Sequence, residues 1–189
     1  MSDTITINTE YEAFGRPATE MKCSGYGLRD LVKDRESIVG LEIGCDIGDT
    51  SHFMLSSLPQ LTLHVVDPYM TYVDWNGRNL DNRNEVFDTA MKRLLPFGDR
   101  FNFYKKTSDE AVGLLNDNYF DYIFIDGLHT YEQLIVDCEN YYSKVKDGGI
   151  FAGHDFNVIP GVNKAVKEFA AKMGKEILTT ECDVWYWVK

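Results

Sequence analysis

The sequence predicts an α/β fold: a seven-stranded, mostly parallel sheet with helices on both faces and an antiparallel strand at its C-terminal end. Three observations carry this. Short apolar runs, SIVGLEI at 37–43, LTLHVVD at 61–67 and YIFID at 122–126, have the length and composition of buried parallel strands. Amphipathic stretches at helical spacing alternate with them. Two strand-like runs close the chain, EILTT at 176–180 and VWYWV at 184–188, near enough to form an antiparallel hairpin.

The elements follow in order. Residues 1–24 have no strong period and contain Gly15 and Pro17, so an arm or lid is expected there. A helix is expected over 25–35, then the first strand, the segment GCDIGDTS, and a helix ended by Pro59. The second strand closes on Asp67. Residues 68–81, PYMTYVDWNGRNLD, read as a long polar and aromatic loop, often a functional lid in compact domains. A helix over 82–95 leads to the third strand, FNFYKK at 101–106, and Ser108 is the expected N-cap of a short helix through Leu115. The fourth strand ends at Asp126. The next helix places Leu134, Cys138, Tyr141, Tyr142 and Val145 at core spacing and is expected to stop at Gly148 and Gly149. The fifth strand, IFAGHD, ends on His154 and Asp155, and a helix over 162–173 precedes the terminal hairpin.

The chain has 189 residues, enough for one α/β domain. Its net charge is −11 and no basic run stands out, which argues against polymeric nucleic acid as a substrate. No apolar run approaches ~20 residues, so no membrane span is expected. The N-terminus lacks the pattern of a secretory signal, and a cytoplasmic location is expected. The cysteines, at 23, 45, 138 and 182, are widely spaced, and neither a disulfide framework nor a zinc site is expected. Oligomeric state is open, a homo-oligomer included.

In a parallel sheet, ligands bind at the carboxyl ends of the strands. Asp126, His129, His154 and Asp155 would gather there, and two of the four histidines fall in this set. Gly44 and Gly48 sit between the first strand and its helix, where glycines let a ligand approach the backbone. A third glycine three residues on is absent, because Ser51 stands there. Asp67, at the end of the next strand, can take both hydroxyls of a ribose.

The segment EIGCDIG resembles the E-x-G-x-x-x-G loop of class I S-adenosylmethionine-dependent methyltransferases, whose Rossmann-like seven-stranded sheet ends in a reversed hairpin. The resemblance spans roughly residues 25–188. It implies that Glu42, Gly44 and Gly48 surround the methionine part of the cofactor, with Cys45, Asp46 and Ser51 as further cofactor-binding residues. Asp67 would bind the ribose, Thr107 and Ser108 would lie near the adenine, and Asp126 beside the sulfonium. More closely, IDGLHTYEQ…KDGGIFAGHD resembles the IDG-x-H-x-Y…GG-x-x-x-x-HD pattern of a bacterial and viral branch of these enzymes. That branch is akin to metal-dependent catechol and macrolide-sugar O-methyltransferases. The resemblance implies a divalent cation, Mg²⁺ or another, on Asp126, His154 and Asp155. His154 replaces a carboxylate there, so it could instead orient Asp155 or the acceptor. His129 stands where the catechol enzymes carry a catalytic lysine, and a neutral histidine is a base suited to pH 7.

The leading expectation is therefore methyl transfer to a hydroxyl of a small molecule, a sugar or a phenol. Trp75, Arg78 and Tyr131 are its candidate substrate contacts, with Tyr72 and Asn76 in the same loop. Asp137 reads as structural or solvated, and His64 as a packing residue. A nucleic-acid amino-methyltransferase would need an [ND]-P-P-[YF] motif after the fourth strand, where Asp126-Gly127-Leu128-His129 stands. A nicotinamide-dependent dehydrogenase is disfavoured by the missing third glycine and by the terminal hairpin. A protein methyltransferase and a non-catalytic cofactor-binding module both stay open on sequence.

Overall fold

A computed structural model describes residues 23–180 and 182–189. The arm expected over 1–24 lies outside them, except that helix α1 already begins at Cys23 (α1, Cys23–Val32). One sheet dominates. Its strands are β1 (Ile38–Ile43), β2 (Leu61–Val66), β5 (Phe101–Tyr104), β6 (Phe120–Ile125), β7 (Val145–Gly153), β8 (Leu178–Thr179) and β9 (Trp185–Val188), in the order β5-β2-β1-β6-β7-β9-β8. The first five are parallel, and β9 runs antiparallel to both β7 and β8.

All six residues of β6 are buried, as a strand covered on both faces must be. The alternation of side chains divides them between two cores. Ile123 and Ile125, with Leu41, Ile43 and Phe151, pack beneath α5 (Tyr131–Tyr141) and α6 (Pro160–Met173). Tyr122 and Phe124, with Ile38, Leu63, Val65 and Ile150, pack against α1, α2 (Asp49–Ser57) and α3 (Arg83–Leu94). Trp185 and Trp187 of β9 are buried against Phe151. Burying each such ring stabilises the fold by about 2–3 kcal/mol, which ties the C-terminal strand to the sheet.

The register aligns the carboxyl ends. Ile43 pairs with Val66 on one side and Ile125 on the other, and Ile125 pairs with Gly153. Single hydrogen bonds extend each ladder by one residue: Gly44 N to Val66 O, Asp126 N to Ile43 O, and His154 N to Ile125 O. Gly44, Asp67, Asp126 and His154 therefore stand in a row. The crossovers also reverse direction at β1, which neighbours both β2 and β6, and this opens the crevice such sheets use for ligands.

Several local expectations change. Thr107, not Ser108, caps α4 (Ser108–Ala111): its hydroxyl accepts from Glu110 N while Glu110 accepts in return from Thr107 N. This reciprocal capping box was legible in the T-S-D-E order. The helix after β6 stops at Tyr141 and a short 3-10 turn, and the strand begins at Val145, running through Gly148 and Gly149. The 68–81 loop contains a small hairpin, β3 (Tyr72–Val73) and β4 (Asn79–Leu80), closed by Asp74 accepting from the Asn76 and Arg78 amides. His64 packs as expected, its Nδ1 3.1 Å from the Tyr104 hydroxyl. Cys45 and Cys138 are buried free thiols, but Cys182 is disulfide-bonded, which the cysteine spacing did not reveal. Among the described residues, no helix is long and apolar enough to cross a membrane.

Candidate active site

A cavity of about 750 Å³ opens along the carboxyl ends of the central strands. Its two halves are built differently.

The first half surrounds the glycine loop. Gly44 has φ +90°, and a Cβ there would lie 2.1 Å from the Asp126 carbonyl oxygen, so any side chain would force β1 and β6 apart. Gly48 (φ 79°) turns the chain into α2 and does not line the cavity. Asp67 braces the loop. One carboxylate oxygen accepts from Cys45 N (2.8 Å) and Asp46 N (3.2 Å), and the other from Tyr69 N (2.8 Å). A carboxylate has about four lone-pair sites, so little capacity is left for both hydroxyls of a ribose. Glu42 is 4% exposed and faces the cavity, with the Ser51 hydroxyl donating to it from behind. Ser51 therefore positions Glu42 and does not itself line the cavity. Burial pushes the Glu42 carboxyl up to about 8 against the pull of the Ser51 hydrogen bond, with Asp126, Asp67 and Asp49 adding to the rise.

Arg83, which no spacing signal marked, closes this half. Its side chain is only 9% exposed, its Nη1 donates to Asp46 at 3.0 Å, and its guanidinium lies 5.7 and 5.6 Å from the ring centroids of Tyr69 and Tyr72. The Tyr69 hydroxyl donates to Asp46 O (2.7 Å). Asp46 (φ 48°), Tyr69 (φ 49°) and Asp155 (φ 62°) all hold left-handed backbone around the site, a cost that surrounding bonds must offset.

The second half gathers Asp126, His129, His154 and Asp155, as the strand ends predicted. His129 Nε2 lies 3.1 Å from Asp126 Oδ1 and 3.0 Å from Asp155 Oδ2. His154 Nδ1 lies 3.1 Å from Asp155 Oδ1 and 4.0 Å from Asp126 Oδ1. His154 Nε2 is 3.1 Å from the Cys182 carbonyl oxygen. A carbonyl only accepts, so Nε2 carries a proton and Nδ1 is the atom turned to the carboxylates. The Trp185 indole N–H in turn donates to His154 O (3.2 Å). Burial lowers the pKa of both imidazoles, but the carboxylates outweigh it: His129 is raised, by Asp126 and then Asp155, and His154 is raised to about 9, by Asp155 and Asp126.

These groups are placed as ligands to a cation would be. Asp126, His154 and Asp155 each offer a ligand atom within 4.8 Å of the others, and the proton on His154 Nε2 leaves Nδ1 as a ligand. Two carboxylates with one imidazole suit a divalent ion that accepts nitrogen as well as oxygen. The first half suits a positively charged ligand: Glu42, Asp46, Asp49 and Asp67 line it, with Arg83 and Arg78 as the arginines of the cavity.

The remaining candidates divide. Trp75 and Arg78 line the mouth, but Arg78 is 68% exposed and paired with Asp74 at 2.7 Å. Tyr131 is not in the cavity wall. It begins α5, and its hydroxyl donates to Glu168 of α6 (2.5 Å), which withdraws it from the expected acceptor site. Thr107 and Ser108 both line the cavity, with Thr107 committed to its cap. Asp137, expected to be structural or solvated, is 1% exposed and faces the cavity beside Ser108 and Gln133.

Sheet order, glycine loop and a carboxylate-lined cavity at the switch point together define the class I methyltransferase fold. Residues 41–156 match the family model described as a methyltransferase domain, and the chain belongs to that family. An uncharacterised protein of Acanthamoeba polyphaga mimivirus is 28% identical over 149 residues, covering 73% of this chain and 63% of its own length. The O-methyltransferase NovP superposes with a TM-score of 0.65 at 19% identity, over 90% of this chain and 78% of its own. An O-methyltransferase from Bacillus cereus, solved with S-adenosylhomocysteine, gives 0.61 at 13% identity, over 94% and 84%. At these identities the two structures establish the shared fold.

Proposed function

We propose that the protein methylates a hydroxyl of a small molecule, a sugar or a phenol, with a divalent cation held by Asp126, His154 and Asp155. The observation that carries this is the placement of His129 Nε2 within hydrogen-bond distance of both Asp126 and Asp155, at the edge of the cavity. When bound, S-adenosylmethionine supplies an electrophilic methyl carbon, and a divalent cation supplies charge that lowers the pKa of a hydroxyl.

The chain's own residues do the rest. Glu42 holds the ammonium group at the amino-acid end of the donor. His129 in its neutral form accepts the hydroxyl proton, and Asp126 and Asp155 stabilise the imidazolium that results. The Cys182 carbonyl fixes the His154 tautomer, and the hairpin bearing Trp75 and Arg78 covers the acceptor.

Release of S-adenosylhomocysteine from S-adenosylmethionine and a panel of sugar and phenolic acceptors tests the reading. Turnover should fall on chelation and return with Mg²⁺ or Mn²⁺, and it should be lost in Asp126→Ala and Asp155→Ala while calorimetry still detects cofactor. Undiminished turnover in both variants would sink the assignment. Turnover indifferent to chelator removes the cation and leaves His129 as the activating group.

A further inference from the structure

Cys182 stands where a covalent cross-link meets the candidate site. It is disulfide-bonded and half-buried, whereas Cys45 and Cys138 are buried free thiols. Its own carbonyl oxygen lies 3.1 Å from His154 Nε2. The cross-linked sulfur and the oxygen that holds the imidazole therefore belong to one residue.

The backbone of His154 is anchored by other means. His154 N donates to Ile125 O (3.2 Å), and the Trp185 indole N–H donates to His154 O (3.2 Å), so β6 and β9 hold the main chain. Asp183 accepts from Asn157 N at 2.9 Å, which keeps the β8–β9 connection beside the end of β7. The Cys182 carbonyl itself has weaker local support. Cys182 N donates to Thr180 Oγ1 at 3.3 Å, longer than the usual range. Asp183 holds left-handed backbone, φ 57°, which a side chain disfavours. Relaxing that angle to the ordinary negative range rotates the Cys182–Asp183 peptide plane, and this plane carries the carbonyl. A cross-link on Cys182 opposes the rotation.

We propose that the Cys182 disulfide is a redox-controlled positioning element for His154. The oxidised bond keeps the Cys182 carbonyl on Nε2 and so keeps Nδ1 turned to Asp126 and Asp155; reduction releases the carbonyl and then the imidazole. A dithiol supplies the two electrons and two protons. The S–S bond breaks, Cys182 and its partner become thiols, and the dithiol closes to a disulfide. The hydrogen-bond partner of an imidazole's second nitrogen sets its orientation as a ligand, so the oxidised chain is the competent form. The effect on a cation rests on the reading that Asp126, His154 and Asp155 hold one; the effect on the imidazole does not.

The full chain, compared oxidised and after reduction with dithiothreitol removed without air, tests this. Nuclear magnetic resonance of isotope-labelled, cation-free protein should show a His154 Nε2–H proton protected from solvent exchange in the oxidised chain and exchanging on reduction. Mn²⁺ affinity, by calorimetry, should fall by about 10- to 100-fold, the range for losing the partner of a ligating imidazole. Cys182→Ser should give the reduced values in either state, and Cys138→Ala should still switch. Circular dichroism separates a positioning element from a mere staple, because the reduced chain should keep the oxidised spectrum. Unfolding on reduction, or a His154 proton and a Mn²⁺ affinity that do not change, overturns the proposal. Failure of the oxidised chain to bind Mn²⁺ removes the cation reading alone, and the His154 proton still decides the positioning role.

Discussion

The two ends of β6 each carry an aspartate, and they do opposite work. Asp121, near the amino end, lies 2.9 Å from Lys146 Nζ and 3.5 Å from Arg35 Nη1, and accepts from Val39 N at 2.8 Å. Asp126, just past the carboxyl end, lies 3.1 Å from His129 Nε2 and 4.0 Å from His154 Nδ1 in the wall of the cavity. The backbone at both is part of the same ladder system. The difference lies in the partners. Lysine and arginine keep their charge at any physiological pH, so Asp121 is permanently neutralised and ties β6 to β1 and β7. An imidazole can gain or lose a proton where lysine and arginine cannot, and a cavity admits other partners, so Asp126 sits where charge can change hands. The same side chain is structural at one end and chemical at the other because of what packs around it.

The largest effect expected from this contrast is on turnover. Asp126→Ala should reduce methyl transfer by on the order of 10³-fold or more, with the thermal midpoint moved by only a few degrees. A parallel fall in stability would erase the distinction between the two ends. Replacing His129 with alanine should cost about 10²- to 10⁴-fold in the rate constant, the range for a general base. A loss of only a few-fold, with acceptor KM unchanged, would reduce His129 to a spacer between two acids.

Glu42 sharpens the comparison through pH. Its folded pKa, about 8, lies above the ordinary glutamate value of 4.5, because burial disfavours its charge. The stability it favours is therefore fully present below pH 4.5 and is lost as pH rises through 8. Glu42→Gln removes this dependence. Scanning unfolding of the cofactor-free protein at pH 5 and pH 8 should show the variant gaining ~3 kcal/mol on wild type across that window, while its affinity for S-adenosylhomocysteine falls. An equal difference at both pH values contradicts the buried neutral carboxyl.

Asp121→Asn is the reciprocal test. It should lower stability by about 1–3 kcal/mol, since Lys146 and Arg35 lose a partly buried partner, and leave turnover per folded molecule unchanged. The smallest effect belongs to Arg78→Ala. Its bond to Asp74 is exposed on the arginine side and contributes little to stability. A rise in acceptor KM with stability and cofactor affinity intact would mark Arg78 as an acceptor contact, and no change would leave it as part of the hairpin.

Much of the site was legible before any coordinates. Asp67, Asp126, His154 and Asp155 each follow an apolar run, and aligned parallel strands can only bring such residues to one edge. Gly44 was legible because a glycine after a strand signals close backbone approach. The misreadings share a cause. Tyr131 and Ser51 lie one or two residues from true wall positions, and helical rotation, invisible in a linear motif, turns the first toward Glu168 and the second behind Glu42. Asp137, read as structural or solvated, is buried and bonded to Gln133, because α4 packs against α5 over it.

The sequence by itself determined the alternation of strands and helices, the residues at the strand ends and the family, because these depend on period and order along the chain. The tertiary structure decided which acids are engaged and by what. It gave Asp67 to the loop amides, Asp121 to Lys146 and Arg35, and Asp137 to the cavity, and it fixed the His154 tautomer through a carbonyl 28 residues away. Hydrogen-bond and charge partners are set by distance in space, and residues far apart in the chain meet only when the sheet's register and the helices' rotation bring them together.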